Sequence, residues 1–235
     1  MENEQSDITR SKLIAWWGSI IGVCLVIILG SIFITRAYLM RRTYESENWR
    51  PPNLYRLETD LSAVNRDGRE VTLGEMRHKI YVAGYQYTDC PAGCLGMASV
   101  MSRLEEQFGA DPRFGLVSIS VNPEGDTPEK MDAWVKDKGV DTEDWWFLTG
   151  DGDEIRDYML SEFKFYSTEK ITDPAIQATQ GEFAHDQRLV LVDGNANIRG
   201  FYSVMDLERG DLEYERLVRE IKMVLNPKLK LSDFQ

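Results

Sequence analysis

Tyr87-Thr88-Asp89-Cys90-Pro91-Ala92-Gly93-Cys94-Leu95-Gly96-Met97 holds two of the three cysteines in a chain of 235 residues. The run before it, Lys79–Tyr87 (KIYVAGYQY), is rich in β-branched and aromatic residues and predicts a buried strand. Beyond it, Met97, Val100, Met101, Leu104 and Phe108 recur at helical spacing, which predicts an amphipathic helix over Cys94–Phe108. The thiols therefore stand at a strand-to-helix turn. The first turn of a helix favours the thiolate through unsatisfied N–H groups and the dipole. If that turn is helical, Cys90 and Cys94 lie on one face, one turn apart. Pro91 removes a backbone donor and fixes the entry. Such a pair can exchange disulfides or hold a soft metal, and the spacing alone leaves both readings open.

Working outward, strands and helices alternate. Phe114–Val121 (FGLVSISV) predicts a second buried strand, and Asp126 or Thr127 caps a helix with Pro128 in its first turn and its end at Lys138-Gly139. Met131, Trp134 and Val135 form its inward face. Trp145–Leu148 reads as a strand, Asp153–Phe163 as a helix, and Arg188–Asp193 with Ile198–Val204 as a hairpin. Leu212–Leu225 closes the chain as a helix. Upstream, Leu54–Leu57 and Glu70–Leu73 are strand candidates around the turn Asn65-Arg66-Asp67-Gly68, and Thr72–Met76 suggests a short capped turn. The order predicts an α/β domain with a mostly parallel central sheet and an antiparallel edge. The cysteine turn then falls at the C-terminal end of a central strand, where open α/β sheets place their sites.

Leu13–Thr35 is 23 residues without a charge, enough to span a bilayer core of about 30 Å. Trp16, Trp17 and Tyr38 flank it as interfacial aromatics. A cleaved signal peptide fits less well, because the run is long and no A-x-A-like site follows. Cys24, in mid-span, reads as a small apolar residue. Expected boundaries are a tail over 1–12, a transmembrane helix over 13–35, a polar linker over 36–54, the soluble domain over 55–225 and a tail over 226–235. Residues 43–235 carry 22 basic and 36 acidic side chains, a balance that argues against nucleic-acid binding and describes a solvated acidic surface. Arg10 and Lys12 precede the apolar run, whereas Arg36, Arg41 and Arg42 follow it. Counted alone, these charges mildly favour a cytoplasmic C-terminal domain.

Two thiolates make an incomplete site for most metals, and imidazole is the usual completing ligand. Of the two histidines, His185 precedes the Arg188–Asp193 strand in a loop that this fold order can return to the cysteine turn. His78 precedes the first core strand and reads as a surface residue at the other end. A Cys90, Cys94, His185 set suits copper, Cu(I) through the thiolates and Cu(II) through the imidazole, while zinc ordinarily wants a fourth ligand. Met97 and Met101 follow the inward period of their helix and read as core.

Beyond the cysteine turn, several stretches in register carry a resemblance. They are Gly68–Leu73 (GREVTL), Ser120–Glu129 (SVNPEGDTPE), Phe147-Leu148-Thr149-Gly150, and His185 ahead of a strand and an Asp-Gly turn. Together they resemble the Sco/SenC proteins, over roughly Leu57 to Val224. The resemblance implies a thioredoxin-like fold behind a membrane anchor at residues 13–35, and copper held by Cys90, Cys94 and His185. It also implies a role in building the dinuclear copper site of cytochrome c oxidase subunit II, by copper delivery, by reduction of the target cysteines, or both. Other copper chaperones or thiol reductases would be further partners. It places the domain on the outer, periplasmic face, against the charge count, and the absence of an Arg- and Ser-rich presequence favours a bacterial cell membrane. Such a protein is more a metallochaperone than an enzyme, with thiol-disulfide reductase activity as an accompaniment. The alternative is a thiol-disulfide oxidoreductase in which Cys90 and Cys94 cycle and His185 is dispensable. A thiol peroxidase would need an Arg near one cysteine in sequence, and none is there. Four positions depart from the family pattern: Gln86 for Gly, Leu95 for Pro, Asn122 for Asp, and Ala184 for the Asp before the histidine.

Overall fold

The structure is a computed structural model. It describes the backbone of residues 2–90, 93–140 and 142–234, and the side chains of these except 2–14, 42–47 and 93–95. Pro91 and Ala92 and the side chains of Cys94 and Leu95 lie outside the described residues. Two units are distinct, one of residues Met1–Trp49 with Lys230–Gln235 and the other of Arg50–Leu229.

In the first unit, helix α1 runs over Glu2–Glu47. Ala15–Arg41 is long and apolar enough to cross a membrane. Its apolar side chains, among them Val26, Leu29 and Phe33, are exposed along the helix. The segment expected to be a linker, 36–54, is thus helical as far as Glu47. Its side chains lack an apolar period, but each turn adds one backbone hydrogen bond per residue to a helix already nucleated.

The second unit is built on an eight-stranded sheet in the order β1-β10-β9-β4-β5-β6-β2-β3. These strands are β1 (Tyr55–Arg56), β2 (Ser62–Asn65), β3 (Glu70–Thr72), β4 (Ile80–Gln86), β5 (Phe114–Ser120), β6 (Trp145–Thr149), β9 (Leu189–Val192) and β10 (Asn197–Tyr202). A separate two-stranded ribbon pairs β7 (Glu169–Lys170) with β8 (Phe183–Ala184). The helices are α2 (Gly93–Phe108), α3 (Pro128–Lys138), α4 (Gly152–Ser161), α5 (Pro174–Gln180) and α6 (Gly210–Leu225). At the centre β4 runs parallel to β5 and β5 to β6, as expected. The remaining pairings are antiparallel, and they occupy both flanks rather than one edge. The turn at Asn65–Gly68 joins β2 to β3. The Leu54–Leu57 candidate pairs instead with β10 at the far edge. The missed strand, β2, is short and has only two buried positions, Ala63 and Asn65, so its period is faint.

Every residue of β4 and β5 is buried, which explains their continuous apolar runs. Alternation along the strands divides the core. Ile80 and Val82 of β4 meet Met97, Met101 and Leu104 of α2, with Leu217 and Ile221 of α6. Tyr81, Ala83 and Tyr85 face the other side, toward Ile155, Tyr158 and Met159 of α4 and Phe163 and Phe165 beyond it. Helix boundaries follow local chemistry. The Thr127 hydroxyl accepts from the Lys130 N–H at 3.3 Å to start α3, and Gly139, at φ 68°, ends it in the left-handed conformation that glycine adopts without cost. Asp151 caps α4 by accepting from the N–H groups of Asp153 and Glu154 at 3.0 and 2.9 Å.

Candidate functional site

Because β4 is parallel to β5 and β6, the chain leaves it at the C-terminal edge of the sheet centre, beside the β5–α3 loop. That loop anchors the cysteine turn through one carboxylate. Asp126 is 1% exposed. It accepts from the Thr88 hydroxyl at 2.5 Å and from the Thr88 N–H at 3.3 Å. It also accepts from the Ser120 hydroxyl at 2.6 Å. A carboxylate so surrounded has its charge met by donors, which is what makes its burial tolerable. One residue on, Asp89 pairs with Lys130 at 2.5 Å, and the Lys130 ammonium also donates to the Gly125 carbonyl at 3.1 Å. The stretch resembling a family signature, Ser120–Glu129, is therefore the shelf on which Thr88 and Asp89 rest.

Cys90 is buried at 6% exposure, and its thiol lies 3.9 Å from the Gln180 carbonyl at the end of α5. Gly93 and Cys94 open α2, so the backbone of Cys94 is at the helix N-terminus as expected. Met97 and Met101 are 1% and 0% exposed in the core, which fits packing rather than ligation.

His185 is brought to the same end of β4 by the ribbon that sequence reading left undescribed. Tyr87, three residues before Cys90, accepts a hydrogen bond at its hydroxyl from the Phe183 N–H at 3.2 Å, and its ring meets Phe183 edge-on at 5.7 Å. That contact docks β8, and His185 follows it by one residue. The imidazole is half-buried and packs edge-on to Tyr87 at 5.8 Å and to Tyr85 at 6.0 Å. Its Nδ1 lies 2.9 Å from the Asp186 carbonyl. A carbonyl can only accept, so Nδ1 carries a proton; in the neutral ring Nε2 then holds the lone pair, the arrangement of a metal-binding imidazole. The Asp186 carboxylate, 2% exposed, takes a bidentate hold on Arg188 and accepts from the Tyr166 N–H at 3.2 Å. The Arg188 guanidinium lies over the rings of Tyr166 and Phe201 at 4.8 and 4.7 Å. Asp186 raises the guanidinium's already high proton affinity further, through hydrogen bonding to it. Burial pushes the Tyr85 phenol up, against a hydrogen bond from Thr168, so that ring next to His185 stays neutral.

His78 is exposed at the other end of β4 as expected, its N–H bonded to the Gly194 carbonyl at 2.9 Å. Among the described residues no three His, Cys, Asp or Glu side chains form a metal-ready cluster; the Cys94 side chain lies outside them. Of what the sequence did not reveal, α5 had a signal: Asp173 accepts from the Ala175 and Ile176 N–H groups ahead of Pro174, a cap followed by proline. The two-residue strands β7 and β8 are too short to show any period.

Comparison with known proteins agrees with this fold. The sequence profile of a family described as SCO1/SenC matches residues 51–224, about three quarters of the chain. A curated relative, the SCO1 protein homolog of Bacillus subtilis (strain 168), is 29% identical over 102 residues, 43% of this chain. The chain spans about half of that relative, 53% of its length. Solved structures share the fold. BsSco, described as a member of the Sco family of cytochrome c oxidase assembly proteins with a disulfide switch, matches at TM-score 0.58 and 22% identity, over 75% of this chain and 99% of its own. Arabidopsis thaliana ScoI with copper bound matches at TM-score 0.55 and 23% identity, over 71% of this chain and 99% of its own. With a thioredoxin-like sheet carrying the cysteine turn and the match covering the whole of that sheet, this chain belongs to the SCO1/SenC family.

Proposed function

We propose that this protein is a membrane-anchored copper-binding protein acting in cytochrome c oxidase assembly, with Cys90, Cys94 and His185 as the copper donors. The observation that carries the reading is the His185 imidazole. It is packed against Tyr87 of the cysteine turn and oriented through Nδ1, so that Nε2 is the coordinating nitrogen. Two thiolates and one imidazole form a soft set matched to Cu(I), and the imidazole also tolerates Cu(II). Cu(I) is then cargo, passed by ligand exchange to the thiolates of the dinuclear copper site of subunit II. The same two cysteines can reduce that target. Cys90 and Cys94 close a disulfide, and two electrons and two protons pass to the target's disulfide, which opens to two thiols. Copper chaperones and thiol reductases that load or recharge the pair are further partners. The apolar helix Ala15–Arg41 supports anchoring in a bacterial cell membrane, and thiol-disulfide chemistry supports placing the domain on the outer, oxidising face.

The test is Cu(I) titration of the full chain in detergent against a chromophoric Cu(I) chelator. One copper per chain binds, and Cys90→Ser, Cys94→Ser and His185→Ala each weaken it by about 10-fold or more. Wild-type affinity in His185→Ala would leave the thiol-disulfide oxidoreductase as the better description.

A further inference from the structure

The described methionines of the second unit divide sharply. Met76, Met97, Met101, Met131, Met159 and Met223 are all 3% exposed or less, filling the core. Met205 alone is half-buried. It stands in the loop between β10 and α6. A turn sets this loop: the Asp206 carboxylate accepts from the Glu208 and Arg209 N–H groups at 2.9 Å each. Two observations place its side chain. A Cβ at Gly96 would lie 2.5 Å from the Met205 methyl and 3.4 Å from its sulfur, so the side chain rests on the backbone of the first turn of α2, two residues past Cys94. On its other side Met205 lines an open cleft of about 350 Å3 together with His185, Tyr166 and Arg188. It thus reaches from the helix turn that bears Cys94 to the cleft that bears His185.

We propose that the Met205 thioether is a further soft donor to the copper held at this site. This rests on the reading of Cys90, Cys94 and His185 as copper donors and adds a ligand to it. A thioether is neutral and polarizable. It adds no charge beside two thiolates, and it favours Cu(I) over Cu(II). Glycine at 96 is what permits the approach, since any side chain there displaces the methionine. Met205 also lines the open cleft beside His185, a side open to a thiol-bearing partner. It therefore steadies Cu(I) while a thiolate is exchanged.

The experiment uses the full chain in detergent, with selenomethionine in place of methionine, loaded with Cu(I). X-ray absorption at the selenium edge shows a copper neighbour in the wild type that vanishes in Met205→Leu. Leucine keeps the packing volume, so apo thermal stability is nearly unchanged. Cu(I) affinity falls on the order of 10-fold in Met205→Leu, and Cu(II) affinity by less than about 3-fold. Gly96→Ala, which moves the thioether and keeps the sulfur, gives the same selective loss. A missing selenium–copper neighbour in the wild type, or unchanged Cu(I) affinity in Met205→Leu, overturns the proposal and leaves the three-donor reading standing. Failure of the wild type to bind Cu(I) at all overturns both.

Discussion

Removing the carboxylate of Asp126 isolates what holds the cysteine turn in place. Asp126 is 1% exposed and receives the hydroxyls of Thr88 and Ser120 at 2.5 and 2.6 Å, with the Thr88 N–H at 3.3 Å. Hydrogen bonds to a charged group contribute about 1.5–3 kcal/mol each, but a hydroxyl that loses its acceptor can rotate toward another. The Ser120 oxygen already accepts the Asn122 N–H at 3.0 Å, so it keeps one partner. Thr88 loses its side-chain partner and its backbone acceptor together. Asp126→Ala should therefore cost about 3–5 kcal/mol, the range for breaking a buried charged network. For a domain of this size that is a fall in Tm of roughly 6–20 °C, at about 2–4 °C per kcal/mol. Asp126→Asn keeps one acceptor oxygen for Thr88 and turns an amide toward the Ser120 oxygen, and should cost only about 1–2 kcal/mol. Urea or thermal unfolding of both variants, with Thr88→Val and the Thr88→Val/Asp126→Ala double variant, closes a cycle. A coupling of about 1–3 kcal/mol is expected between positions that share a bond. Hydrogen exchange at the Thr88 amide should rise in Asp126→Ala. If Asp126→Ala costs less than about 1 kcal/mol, or the cycle shows no coupling, the turn is not held by this carboxylate.

Two other outcomes follow from the same bookkeeping. Tyr87→Phe keeps the ring against His185 and Phe183 but removes the acceptor for the Phe183 N–H at 3.2 Å; a loss of about 1–3 kcal/mol is expected, with faster amide exchange at Phe183 and weaker Cu(I) binding than in wild type. Asp193 closes the β9–β10 hairpin. Burial would raise its carboxyl, but hydrogen bonds from Asn197, Arg199 and Asn195 outweigh this and hold it below the usual range. A depressed carboxyl stabilises above its unfolded value of about 4 and loses that contribution as pH falls through the folded value. Asp193→Asn should thus be less stable than wild type at pH 7, by about 1–3 kcal/mol, with the gap narrowing below about pH 4; a gap independent of pH would refute the assignment.

The parts of the fold that sequence revealed are those with long periods and local signals. β4 and β5 are continuous apolar runs because both faces of the sheet are covered, and α2, α3 and α6 carry one buried stripe each. The caps of α3 are readable as Thr127-Pro128 at one end and Gly139 at the other. What was not legible depends on partners far apart in the chain. The short outlying strands β1 and β2 are two and four residues long and take their identity from β10 and β6. The docking of β8 depends on the hydroxyl and ring of a tyrosine 96 residues away in sequence. In the site, Cys90 and His185 could be nominated from residue type and order. Asp126 as the anchor of Thr88, and Met205 against Gly96, could not, because no spacing rule relates a loop carboxylate or a thioether to a turn on another element.

The departure at Ala184 can be weighed on the same grounds. A carboxylate just before the histidine would serve to orient it. Here Ala184 lies in β8, exposed and paired in register with Glu169, so the ribbon and not the side chain at 184 sets the chain direction. Orientation of the imidazole comes from the residue after it. The Asp186 carbonyl takes Nδ1, and the Asp186 carboxylate, locked by Arg188 and the Tyr166 N–H, keeps that carbonyl from turning. Arg188 is itself held by the faces of Tyr166 and Phe201. A buried pair of this kind adds little net stability, since desolvation offsets most of the attraction. It restricts geometry instead, and a ligand that must present one nitrogen in one direction gains from that restriction. The loop therefore keeps an acid beside His185, moved from one neighbour to the other and acting through the backbone.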